Sequence, residues 1–125
     1  MAVFVLRDAS VVVNSVNLSA YVTSVSLNYE VDTVSNGEAA LAAVRKRRPD
    51  VVVTDFMMPM MTGLEFAEAV RADAALANLP IILVSGAQGN IARERPELFQ
   101  AVFDKPYRNS AILEAIANHV ATDQE

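Results

Sequence analysis

Asp55 is the residue best placed to do chemistry. It ends the apolar run Val51-Val52-Val53-Thr54 abruptly, and Pro59 and Gly63 follow it. A carboxylate in a shaped loop offers an oxygen nucleophile, which other groups can activate by neutralising charge. Two further residues end short apolar runs in the same way. Ser85 closes Ile81-Ile82-Leu83-Val84, and Lys105 follows Ala101-Val102-Phe103-Asp104. Taken singly, each has an ordinary reading: Asp55 as a loop cap, Ser85 as an unremarkable serine, Lys105 as a surface cation.

The elements that must hold these residues can be read from residue 31 onward. Val31 to Val34 reads as a strand. Asn36 caps a helix with Ala40, Leu41 and Val44 inward, closed by Pro49. Val51 to Thr54 is a strand buried on both faces, as in a parallel sheet. Asp55 therefore stands at a carboxyl-terminal strand end, the edge where open α/β sheets bind ligands. Pro59 and Gly63 impose a loop there. Thr62 caps a helix carrying Leu64, Ala67 and Val70. Ile81 to Val84 is another buried strand, Ile91 to Phe99 a helix interrupted by Pro96, and Ala101 to Phe103 a short strand. Ser110 caps a last helix with Ile112, Leu113, Ile116 and Val120 at helical spacing. Strands alternating with helices through short connections predict a parallel sheet covered on both faces.

The first thirty residues are less regular. Ala2 to Leu6 and Val11 to Val13 both read as strands. Val12, Val16, Ala20, Thr23 and Leu27 fall on one helical stripe, and a crossover between parallel strands calls for a helix there.

Composition narrows the function classes. The chain has 125 residues, a formal charge of -5 and no cysteine. That length suits one domain with a real core. The missing thiols exclude disulfides and thiolate metal sites. No apolar stretch is long enough to span a membrane, and the apolar start lacks the length and basic flank of a signal peptide. A cytoplasmic protein is the expectation. The acidic balance argues against nonspecific nucleic-acid binding. The single basic cluster, Arg45-Lys46-Arg47-Arg48, closes a helix where cations suit its dipole.

Four segments, in order and at matching spacing, resemble the receiver domains of bacterial response regulators of the chemotaxis-regulator type. Glu30 to Leu41 resembles that family's second strand and helix. Arg48 to Asp55 resembles the approach to its phosphoaccepting aspartate, with Pro59 and Gly63 where the family has them. Leu83-Val84-Ser85-Gly86 resembles the strand that ends in a hydroxyl residue. Asp104-Lys105-Pro106-Tyr107 resembles the lysine-proline corner. The resemblance covers nearly the whole chain, read as a single receiver domain over 1–125. It implies a flavodoxin-like, doubly wound sheet of five parallel strands, order 2-1-3-4-5, with about five helices.

The resemblance also implies the roles at the site. Asp55 is the phosphoacceptor. Lys105 supplies a point charge and Ser85 a hydroxyl to the phosphoryl oxygens. Asp55, the backbone carbonyl of Met57 and an acid near the first strand hold magnesium, a hard cation that takes oxygen ligands. The Lys105-Pro106 bond is expected to be cis.

The chain departs from the family pattern in two places. The family carries an acidic pair just after its first strand. If Ala2 to Leu6 is that strand, Arg7-Asp8 replaces the pair, and Asp8 is the metal-binding acid. In that register Arg7 can pair with Asp55. If Val11 to Val13 ends the strand, valines occupy both acidic positions. The first register is the preferred reading. The second departure is at Val102, where the family often has an aromatic switch residue; here the aromatic residue is the neighbouring Phe103.

The leading expectation is a two-component signalling domain. A histidine kinase or phosphotransfer protein phosphorylates it, and it signals to a downstream effector by protein contact. It is not an enzyme beyond autocatalysing its own phosphorylation and dephosphorylation. A homodimer is an option by family analogy. No DNA-binding output domain follows Lys105, so the chain acts alone or is a module of a larger protein. The alternative is a pseudo-receiver that keeps the fold as a phosphorylation-independent binding module. A hydrolase using an aspartyl phosphate is disfavoured, because Met57 stands where a second catalytic acid would be needed.

Overall fold

The computed structural model describes residues 10–13, 30–34, 36–57, 61–86 and 89–123. Five parallel strands form one sheet: β1 (Ser10–Val13), β2 (Glu30–Thr33), β3 (Val51–Asp55), β4 (Ile81–Ser85) and β5 (Ala101–Asp104), in the order β2-β1-β3-β4-β5. Among the described residues four helices accompany them: α1 (Gly37–Lys46), α2 (Gly63–Ala72), α3 (Gly89–Arg93) and α4 (Asn109–Asp123). The expected helix between Asn14 and Leu27 lies outside the described residues.

The position of β1 corrects the preferred register. The strand between β2 and β3 is Ser10–Val13, not Ala2 to Leu6. Val11 pairs with both Val31 and Val51, and Val13 with both Thr33 and Val53. A run of β-branched residues suits a central strand flanked on both edges. Ala2 to Leu6, Arg7 and Asp8 lie outside the described residues.

Local signals set the helix starts. Asn36 Oδ1 accepts from Ala39 N at 2.7 Å, capping α1. Thr62 and Glu65 form a reciprocal capping box at α2, with Glu65 N to Thr62 Oγ1 at 3.1 Å and Thr62 N to Glu65 Oε1 at 2.9 Å. Two boundaries differ from expectation. Helix α3 ends at Arg93 instead of running to Phe99, because the residue before Pro96 is steered away from helical backbone and the proline has no N–H to give. Helix α4 starts before Ser110: Ala111 N and Ile112 N both donate to Arg108 O, so Ser110 lies within the first turn.

The sheet divides the core into two clusters. Side chains alternate along each strand, so Val52, Ile81 and Leu83 join one cluster with Phe66 and Val70. Val51, Val53, Ile82 and Val84 join the other, beneath Ile112 and Ile116 of α4.

Arg71, in the last turn of α2, staples the amino-terminal edge of the sheet. Its Nε donates to Glu97 O, its Nη1 to Ala77 O and Leu79 O, and its Nη2 to Leu98 O and Gln100 Oε1. Gln100 Oε1 also accepts from Ile81 N at 2.6 Å. None of those acceptors is a carboxylate, and burial pushes the Arg71 guanidinium below its usual pKa.

Candidate functional site

The site lies at the carboxyl-terminal ends of β3, β4 and β5. Cα pairing sets its frame: Asp55 lies opposite Val84, and Ser85 opposite Asp104. Ser85 and Lys105 are therefore one residue beyond the rungs that align Asp55 with β4 and Ser85 with β5.

Backbone bonds fix β3 where it leaves the sheet. Phe56 N donates to Val84 O at 3.0 Å, and Gly63 N donates to Phe56 O at 2.7 Å. The second bond folds the start of α2 back onto the Phe56–Met57 peptide. A Cβ on Gly63 would lie 2.5 Å from Asp55 O and 2.8 Å from Leu83 Cδ1, so only glycine fits. Thr54 is buried, and its hydroxyl donates to Asp55 O at 3.1 Å.

Lys105 Nζ reaches Asp55 Oδ1 at 2.8 Å. The Asp55 side chain is 21% exposed and that of Lys105 47%, so the pair sits in the mouth of the site. Asp55 Oδ1 is nevertheless buried with no aligned hydrogen bond among the described residues. The ammonium supplies charge at ion-pair range without donating along a good line. Lys105 N donates to Ser85 O at 2.7 Å, which ties the backbones of the cation and the hydroxyl residue together. Ser85 itself is 1% exposed. The Lys105-Pro106 bond is cis, as expected.

Of the expected site residues, the structure thus brings Asp55 and Lys105 into contact and sets Ser85 beside them on the next strand end. Met57, beyond Asp55 in the chain, has an exposed side chain at 64%. Asp8 lies outside the described residues. In the sequence it precedes β1, while the residues after β1 are Asn14 and Ser15, neither of them an acid. Among the described residues no cluster of three or more His, Cys, Asp or Glu side chains could hold a metal ion. The remaining donors are still all oxygen. The unsatisfied Oδ1 of Asp55 and the carbonyl of Met57 suit a hard cation that keeps most of its water.

A second charged pair at this edge was not expected from the sequence. Arg93 of α3 grips Asp104, with Nη1 to Oδ1 at 3.2 Å and Nη2 to Oδ2 at 3.0 Å. Nη2 also reaches Val102 O at 3.4 Å. The Asp104 carboxylate rests against Gly89, where a Cβ would collide with Oδ1. At the position of the family's aromatic switch, Val102 packs on the cluster beneath α2, while Phe103 faces the opposite cluster with Tyr107.

The family model for the response regulator receiver domain matches residues 3–117. The polar-differentiation response regulator DivK of Brucella anthropi is 30% identical over 94 residues, covering 74% of this chain and 76% of DivK. The probable transcriptional regulatory protein TcrX of Mycobacterium tuberculosis is 38% identical over 77 residues, 59% of this chain but only 32% of TcrX. The receiver domain of the sensor histidine kinase PA1611 from Pseudomonas aeruginosa, solved with a magnesium ion in its active-site cleft, superposes with a TM-score of 0.71. That match covers 87% of this chain and 93% of the other at 20% identity, a likeness of fold. A parallel sheet in the order β2-β1-β3-β4-β5, a carboxylate and lysine paired at its carboxyl-terminal edge, and a family match over nearly the whole length agree: this chain belongs to the response regulator receiver domain family.

Proposed function

We propose that Asp55 is the phosphoacceptor of this receiver domain, and that Lys105 and Ser85 serve the transfer. The contact of Lys105 Nζ with Asp55 Oδ1 carries this reading. An Asp55 oxygen attacks the phosphorus of a phosphohistidine donor. The new P–O bond forms as the P–N bond breaks, and its electron pair returns to the donor imidazole. The product is an acyl phosphate on Asp55, later cleaved by water. Charge on the transferring oxygens dominates such a transition state, so positioned cations contribute most. Lys105 exchanges its contact with the carboxylate for one with a phosphoryl oxygen. Ser85, tied to Lys105 through the backbone, turns its hydroxyl to a second.

Asp55 and the Met57 carbonyl are the groups that would hold magnesium, which supplies further charge neutralisation when bound. Asn14 and Ser15 after β1 offer no carboxylate, so the affinity is expected to be weak. The donor is a histidine kinase or phosphotransfer protein, and the readout is contact with an effector protein in the cytoplasm. The domain spans 1–125 and turns over no separate substrate, although it autocatalyses gain and loss of its own phosphoryl group.

Asn14 and Ser15, following β1 where the family carries its acidic pair, favour a second reading, a binding module that keeps the fold without phosphorylation. Acetyl phosphate with magnesium separates the two. A mass gain of one phosphoryl group, absent in Asp55→Asn, is the expected result. A folded wild-type protein that gains no mass at saturating donor overturns the proposal in favour of the binding module.

A further inference from the structure

We propose that Arg93 is a positioning residue for the phosphoryl site, acting through Asp104 to keep Lys105 on Asp55. The inference rests on the reading of Asp55 and Lys105 given above. Asp104 is the covalent neighbour of Lys105 and the Cα partner of Ser85, so its carboxylate belongs to the same strand-end edge as the acceptor. That edge gains further negative charge on phosphorylation. A second free carboxylate there does harm in two ways. It repels the incoming phosphoryl group, and it competes with Asp55 for the one ammonium within reach.

The structure neutralises it. Both oxygens of Asp104 are taken by Arg93, in the two-point geometry that a guanidinium fork makes with a carboxylate. Gly89 leaves room for the carboxylate to turn toward α3. Lys105 is left paired with Asp55. The pair is half-exposed, with side chains 44% and 53% accessible, so it is a modest contributor to stability. Its placement beside the site gives it a further role. No other described carboxylate is both adjacent in sequence to Lys105 and paired with the Ser85 rung.

Charge placement and mere docking of α3 make opposite predictions for the two partners. If the pair only pins α3, Arg93→Gln and Asp104→Asn do equal damage, and the double variant is no better. If Arg93 masks a competing carboxylate, Arg93→Gln alone harms the site. Asp104→Asn removes the competitor and stays within about twofold of wild type, and the double variant recovers. The expected loss in Arg93→Gln is about fivefold in the rate of phosphorylation by acetyl phosphate, the size set by one half-exposed ion pair. Arg93→Lys retains the charge and restores part of the rate.

A second measurement needs no phosphodonor. In the ¹⁵N spectrum of lysine ammonium groups, Lys105 should show a signal protected by its ion pair. That signal is expected to weaken in Arg93→Gln and return in the double variant. Equal behaviour of Arg93→Gln and Asp104→Asn in the ammonium spectrum overturns the inference, whether or not the protein is phosphorylated. A wild type that takes no phosphoryl group, with the ammonium pattern as expected, instead overturns the phosphoacceptor reading and leaves the positioning role standing.

Discussion

Replacing Arg71 by methionine removes a hub rather than a single contact. The guanidinium has five N–H donors, and in the structure five acceptor contacts use them. The bonds to Ala77 O, Leu79 O and Leu98 O are part-buried, and those to Glu97 O and Gln100 Oε1 are exposed. Water replaces the exposed pair at little cost. Each part-buried carbonyl left without a donor costs about 1 kcal/mol, the lower end for an unsatisfied buried group. The sum is about 3 kcal/mol. Burial of the guanidinium offsets part of this, since its desolvation is relieved when methionine takes its place. The net loss expected is therefore about 2 kcal/mol. With a urea slope of roughly 1.5 kcal/mol/M, the midpoint falls by more than about 1 M with the slope unchanged. Arg71→Lys keeps the charge but offers a point cation for a fork, and should recover less than half of the loss. A midpoint shift under about 0.3 M in Arg71→Met would show that the staple does not hold the α2 end to the β4 and β5 starts.

Gly63→Ala places a methyl against Asp55 O, so stability should fall by about 1–3 kcal/mol and phosphorylation should slow together; an unchanged melting curve refutes the steric reading. Ile116→Ala, at a fully buried position on the inner face of α4, should cost about 2–5 kcal/mol and speed amide exchange in α4 ahead of α2. The Arg95 guanidinium, hydrogen-bonded to Glu97, holds that carboxyl below its usual pKa. Its small stabilising contribution is thus present above the ordinary glutamate range and lost as pH falls through the lowered value. Carboxyl NMR titration should find the Glu97 midpoint raised in Arg95→Gln, and an unmoved midpoint contradicts the pairing.

Much of the fold was legible because its signals were local. Asn36 and Thr62 announced two helix starts, and apolar runs closed by polar residues marked β3 and β4. The first strand was not legible in that way. Ala2 to Leu6 and Val11 to Val13 are both short and apolar, and neighbours in sequence do not rank them. Pairing of Val11 with Val31 on one side and Val51 on the other does, and that is a tertiary fact. At the site, the positions of Asp55, Ser85 and Lys105 followed from where their strands end. The near-complete burial of Ser85 did not, nor did the grip of Arg93 on Asp104. Eleven residues separate that pair in sequence, and only the return of the chain along β5 brings them together.

The valine rungs of the central sheet have one more consequence. Val11, Val12 and Val13 of β1 face Val51, Val52 and Val53 of β3. Slide β3 by one place and most rungs still set valine against valine, so apolar burial alone barely distinguishes the shifted alignment. The flanking residues do distinguish it. One direction of slip draws Asp55 into the place of Thr54, which is 1% exposed, and an ionised carboxylate there without its lysine costs several kcal/mol. The other draws Asp50 and Pro49 toward the ladder, where proline has no N–H to contribute. The Asp55 carboxylate thus also serves as a terminator of strand alignment. Neutral replacements such as Asp55→Ala remove the carboxylate and, with it, the penalty that keeps β3 from slipping.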